Sequence, residues 1–159
     1  MPSKPFTTCL WFDTKGEDAA NFYAGIFKDS KITAVHRYGE AGPGPEGAVM
    51  TVAFELNGQR FLALNGGPQY QFSAAVSLVI ECADQDEVDY YWDRLTDGGQ
   101  EVACGWVTDK FGFSWQVVPS ILPEMLGDPD PARAARVTEA MLKSVKFDIA
   151  ALRAAYDGV

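Results

Sequence analysis

The chain has 159 residues, with 13 Lys+Arg against 22 Asp+Glu and a formal charge of −9 at pH 7. Hydrophobic residues make up 47% and aromatics 13%, enough for one packed domain or two small modules sharing a core, and far from a disordered composition. An acidic balance with no basic stretch argues against nucleic acid or anionic membrane as a partner, and the single histidine excludes a metal site built from two imidazoles in one chain.

Phe6 to Asp13 alternates aromatic and β-branched residues and predicts a strand. Gly16-Glu17-Asp18 opens a helix whose apolar positions are Ala19, Ala20, Phe22, Tyr23, Ile26 and Phe27, with acids in the first turn where they favour an N-terminus. Lys31 to Tyr38 predicts a second strand, and Gly39 to Gly47 a Gly/Pro loop. Val49 to Leu56 and Arg60 to Leu64 form a hairpin across Asn57-Gly58, a type I′ signal. Asn65-Gly66-Gly67-Pro68 ends this unit, either as a tight exit from an edge strand or as a run of backbone N–H groups offered to an anion.

The same order then returns. Ala74 to Cys82 predicts a strand and Asp84-Gln85-Asp86-Glu87 a helix start, with Val88, Tyr91, Trp92 and Leu95 on the buried face and Gly98-Gly99 as the stop. Glu101 to Thr108 and Phe113 to Pro119 predict further strands, joined through Asp109-Lys110-Phe111-Gly112. Leu10-Trp11-Phe12 with Asn21-Phe22-Tyr23 parallels Leu78-Val79-Ile80 with Asp89-Tyr90-Tyr91, so the chain reads as an internal duplication. Beyond it, Asp130-Pro131 and Asp148 each cap a helix of the tail.

Met1 to Leu10 contains no apolar signal-peptide core, and no run approaches the roughly 18 apolar residues a membrane helix needs. The three cysteines, Cys9, Cys82 and Cys104, match no zinc or redox spacing and leave an odd thiol, as in a reducing compartment. A cytoplasmic location is the expectation. Cys104 beside Gly105 and Trp106 has no neighbouring base, which favours a small buried thiol over a nucleophile. His36, in Val35-His36-Arg37-Tyr38, reads as a structural or exposed strand residue rather than a general base.

Several stretches together resemble the PhnB-like branch of the glyoxalase/bleomycin-resistance/dioxygenase group, the vicinal-oxygen-chelate superfamily. They are Leu10-Trp11-Phe12-Asp13 with Ala20-Asn21-Phe22-Tyr23, Leu64 to Pro68, Cys104 to Pro119, and Lys146 to Leu152. Members are commonly described as 3-demethylubiquinone-9 3-methyltransferase-like. The resemblance implies an α+β fold of two βαβββ modules, a curled mixed sheet around a cleft, with extra C-terminal helices and assembly as a homodimer. Module one would span about 5–68, module two about 72–119, and the tail helices about 120–157, all within one domain.

The resemblance also implies a divalent metal held by His and Glu in that cleft, where it would chelate neighbouring oxygens. The matching positions here are Phe6 or Thr7, Ala75 or Ser77, Leu62 to Asn65, and Gln116, none of them imidazole or carboxylate. The expectation is therefore no metal and no other cofactor. Strand parity turns Thr7, Cys9, Trp11 and Asp13 away from the first helix, and Ser77, Val79 and Glu81 away from the second. The expected ligand cleft comprises Trp11, Asp13, Asn65, Ser77, Glu81, Trp106 and Gln116, suited to a small, flat or polar organic molecule. Asp13 and Glu81 could serve as general acid or base if buried together, or sit at the rim. The alternative is an enzyme, either a metal-dependent lyase or dioxygenase or a methyltransferase. Against the last, the Gly39–Gly47 run leads into a strand rather than the helix a nucleotide cradle requires.

Overall fold

In the computed structural model, which describes residues 5–159, the chain divides between Phe72 and Ser73 into two units, each with its own four-stranded sheet. The first unit contains β1 (Thr8–Phe12), α1 (Gly16–Ile26), β2 (Lys31–Arg37), β3 (Val49–Leu56) and β4 (Gln59–Asn65). The strands lie in the order β1-β4-β3-β2, with β1 parallel to β4 and the other pairs antiparallel. Asn57 and Gly58 both have positive φ, 49° and 78°, the type I′ geometry that suits the twist of β3 and β4. Leu10, Phe12, Val52, Phe54, Phe61 and Ala63 are buried on the sheet face that meets α1. There Tyr23 of α1 stacks on Phe54, and Phe54 stacks on Phe61.

The N-terminus of α1 is capped from far along the chain. Its own N-cap residue, Lys15, makes no side-chain capping bond to the helix backbone. Instead the backbone N–H of Gly16 donates to Oδ1 of Asn65, at the end of β4, at 2.8 Å. This supplies an acceptor that the local sequence lacks. Gly16 has no room for a side chain, since a Cβ would lie 2.7 Å from that same oxygen.

The second unit repeats the plan with β5 (Ser77–Cys82), α2 (Gln85–Thr96), β6 (Gln100–Glu101), β7 (Trp106–Thr108) and β8 (Ser114–Pro119). Its strand order, β5-β8-β7-β6, corresponds strand for strand to the first, again with a parallel edge pair. This is the duplication expected from the sequence, and the molecule is α+β as expected. Asp84 caps α2 by accepting from Glu87 N at 3.0 Å, and Glu87 in turn accepts from Ala83 N. Val88, Trp92 and Leu95 are buried, and Trp92 Nε1 donates to Glu101 Oε1 at 2.8 Å.

Two details correct the sequence expectation. The predicted strand Glu101–Thr108 is broken, because Cys104 and Gly105 have φ of 58° and 76° and turn their backbone donors outward. Cys104 N donates to Ser144 O and Gly105 N to Val145 O, both at 2.8 Å, so the tail takes the place of strand pairing here. A helix not foreseen, α3 (Ile121–Leu126), precedes α4 (Pro131–Lys143) and α5 (Ile149–Asp157). Its single turn and a half contains Pro123, which masks the apolar period. Leu122, Met125, Val137, Phe147 and Leu152 form a core among these helices, with Val118 and Cys104 packed against it. Asp130 and Asp148 cap α4 and α5 as expected, accepting from Ala132 N and Ala151 N. Among the described residues no helix is long and apolar enough to cross a membrane.

Candidate functional site

Each sheet has one face under its helix and one face turned away from it. In the first unit Cys9, Trp11, Thr51, Ala53, Leu62 and Leu64 share the second face by register, and all but the exposed Cys9 are half-buried. The end of this face is fixed by Trp11. Its Nε1 donates to Gly67 O at 2.9 Å, and its ring meets Tyr70 edge-on at 5.0 Å. Gly66 must be glycine because a Cβ there would collide with the Trp11 ring.

In the second unit the corresponding face carries Ser77, Val79 and Glu81 from β5, Gln116 from β8, and Trp106 and Thr108 from β7. Gln116 lies beside Val79 and opposite Trp106 in register. Its Nε2 donates to Ser77 Oγ at 2.9 Å. An amide bonded to a hydroxyl is a neutral pair. Neither group carries the charge or the basic nitrogen that a transition ion selects.

The superfamily metal therefore does not fit the residues present. Among the described residues no group of three His, Cys, Asp or Glu could hold an ion. The β4 positions on the sheet's second face are Leu62 and Leu64, the β8 position is Gln116, and the β5 position is Ser77. The candidates ahead of β1 and β5, Phe6 or Thr7 and Ala75, are all exposed.

The first unit also contains a cavity of about 530 Å³ at the C-terminal ends of β1 and β4. Three segments wall it: the β1–α1 turn and first turn of α1 with Asp13, Glu17 and Asp18, the loop after β2 with Pro43 and Pro45, and the β4 exit Asn65–Gln69. Asn65 joins all three. Its Oδ1 accepts from Gly16 N, its Nδ2 donates to Val49 O at 3.1 Å, and its carbonyl accepts from Tyr38 Oη at 2.6 Å. Gly42 and Gly44 lie so close to the Tyr38 ring that neither could bear a side chain. Gly47 N donates to Tyr38 O, and Tyr38 N to Ala48 O, which closes the base of the loop.

Of the predicted site residues, the structure brings Asp13 and Asn65 together in this cavity, with Trp11 holding its Gly66-Gly67 wall from the sheet side. Ser77, Trp106 and Gln116 are brought together on the second sheet, and Glu81 is exposed near the end of β5. Asp13 and Glu81 lie in different units and both are exposed. Sequence reasoning missed Tyr38, Glu17 and Pro43 as cavity residues. The available signal was the Gly/Pro loop immediately after an aromatic strand end.

The remaining candidates fall outside both places. His36 is exposed on β2, an edge strand. Cys104 is half-buried and its Sγ donates to Met141 O. Burial, with Glu87 and Asp84 nearby, pushes the Cys82 thiol up to about 12, so it is not a thiolate at neutral pH.

Comparison with known proteins agrees with this architecture. Residues 4–118 match the model of the family described as 3-demethylubiquinone-9 3-methyltransferase. The PhnB protein of Bacillus cereus, itself only provisionally described as such a methyltransferase, is 35% identical with a TM-score of 0.67. The match covers 73% of this chain and 99% of that one. Protein PA1353 of Pseudomonas aeruginosa is similar in fold at 18% identity and TM-score 0.59, covering 71% of this chain and 95% of that one. FosX of Listeria monocytogenes, a fosfomycin resistance protein, is similar in fold at 16% identity and TM-score 0.54, covering 80% and 100%. Among curated proteins none matches.

Proposed function

This chain belongs to the 3-demethylubiquinone-9 3-methyltransferase (PhnB-like) family of vicinal-oxygen-chelate proteins, and on that premise we propose that it binds a small organic molecule without the superfamily metal. The observation that carries this reading is the Gln116–Ser77 pair. It sets a neutral amide and hydroxyl beside Trp106, at positions that the superfamily resemblance would assign to ionised or imidazole ligands. Such a face can hydrogen-bond and stack on an organic ligand, which is the usual composition of a small-molecule site. The reading includes a cytoplasmic homodimer with neither nucleic acid nor membrane as partner.

The test is metal analysis of the purified protein together with calorimetric titration of Mn²⁺, Zn²⁺ and Ni²⁺. The expected result is no stoichiometric metal and no tight binding. One equivalent of tightly held ion, lost on changing Gln116, would overturn it.

The family description favours a second reading, transfer of a methyl group. In this chain the Gly39–Gly47 run joins β2 to β3, two antiparallel strands, and no helix follows it. S-adenosylmethionine binding only the native state would raise the melting temperature by mass action. The expected outcome at millimolar concentration is no shift, and a clear rise would make the methyltransferase reading the better one.

A further inference from the structure

We propose that the cavity at the end of β1 and β4 in the first unit is a binding site for a small organic cation, a primary or substituted ammonium carried on an apolar body. The inference rests on the reading that this protein takes an organic ligand, and it names the ligand's class and place.

The cavity is the size of a small-molecule site, about 530 Å³. Its walls are held before any ligand arrives. Asn65 ties α1, β3 and Tyr38 together with three hydrogen bonds, and the Trp11–Gly67 bond fixes the β4 exit. A preorganised cavity loses little freedom on binding, which is what separates a site from a surface hollow.

The lining selects the charge. Asp13 and Glu17 face the cavity, and no lysine or arginine is among its lining residues. Asp18 is paired with Lys15 at 3.2 Å, and the guanidinium of Arg37, at the end of β2, donates to Gly47 O. Lys15 and Arg37 are thus engaged, leaving Asp13 and Glu17 to set the local field on a chain already at −9. An anion would meet repulsion from both carboxylates, even at the N-terminus of α1, whose first N–H is already given to Asn65. Pro43, Pro45, Ala48 and Pro68 supply the apolar remainder, fitting a hydrocarbon body rather than a hydrated inorganic ion. The three organic charge classes are therefore ranked cation, neutral, anion.

The experiment uses three probes with one skeleton: 3-phenylpropylamine, 3-phenylpropan-1-ol and 3-phenylpropionate. Each is titrated into the full-length protein while amide chemical shifts are followed. The amine should move resonances of residues 13–18, 38–48 and 65–69 and bind at least about tenfold more tightly than the alcohol, with no binding of the propionate. Asp13→Asn combined with Glu17→Gln should weaken the amine by about tenfold or more and leave the alcohol unchanged. The amide spectrum of the variant shows whether its fold is retained, and the exposed Asp13→Asn alone should give a smaller loss of the same sign. Equal binding of amine and propionate, or an amine that does not bind, would overturn the proposal. Shifts confined to the Ser77–Gln116 face would also overturn it, while leaving metal-independent organic binding standing.

Discussion

At the residue scale two polar side chains, Asn65 and Asp109, are builders. Asn65 spends its amide on Gly16 and Val49, joining elements far apart in sequence. Asn65→Ala should cost about 2 kcal/mol, the sum of a lost cap and an unmet carbonyl, measured by denaturant unfolding. Asn65→Asp keeps the acceptor for Gly16 and should lose less. Asp109 is buried, 3% exposed, and its carboxylate accepts from Phe111 N, Phe113 N and Trp115 Nε1. Sequence reading identifies the turn at Asp109–Gly112 but not the bond from Trp115 Nε1, which reaches Asp109 from β8. Thiol chemistry gives a second check. Cys9 is exposed and Cys82 fully buried. A disulfide reagent at pH 8 should modify Cys9 in the native protein, slowly because partial burial raises its thiol, and reach Cys82 only on unfolding. The raised Cys82 value has a linkage consequence. The unfolded thiol ionises near 9.0 and the folded one near 12, so stability should decline as pH rises between those values.

At the element scale, local caps are legible in the sequence, whereas the distant cap of α1 is not, although the helix itself is. Asp84, Asp130 and Asp148 announce α2, α4 and α5 because acceptor and donor are only two or three residues apart. The Asn57-Gly58 turn is equally local. By contrast, the Cys104-Gly105 turn exists to receive the tail. A side chain at Gly105 would strike the Phe147 ring, and φ of 76° would strain it further. Phe147 is itself buried at 2% exposure. Phe147→Ala should cost about 3–5 kcal/mol by opening this contact, read as a lower unfolding midpoint. The tail is also held by carboxylates. A hydrogen bond from Lys146 keeps Asp89 below its ordinary 3.8, and one from Tyr156 does the same for Asp128. Their contribution is complete above the ordinary carboxylate range and lost as pH falls through the depressed folded values. Amide exchange in α4 and α5 should therefore accelerate below about pH 4 before that of β3 and β4, and Asp128→Asn should remove part of the effect.

At the scale of the whole molecule, the duplication was readable because each module repeats its own pattern of strand, helix and strands. The two candidate sites were not, because they depend on which loops and strands converge. Register could place Ser77 and Gln116 on one face, but nothing in the spacing of Tyr38, Pro43 and Pro68 reveals that they wall one cavity. The family match ends at residue 118, whereas the second unit continues to Val159. This continuation is part of that unit's core. Val118 and Cys104 pack against the helical cluster, and the backbone donors of Cys104 and Gly105 find their acceptors at Ser144 and Val145. A chain ending at Ser120 would uncover Val118 and Cys104 and return those two N–H groups to water. Loss of that burial should lower stability by on the order of 3 kcal/mol or more. Differential scanning calorimetry of the truncated chain should show a lower Tm, with the first unit's amide spectrum unchanged away from the junction. An unaltered Tm would mean that α3 to α5 are an appendage, and that the family core is already complete at the length over which its model matches.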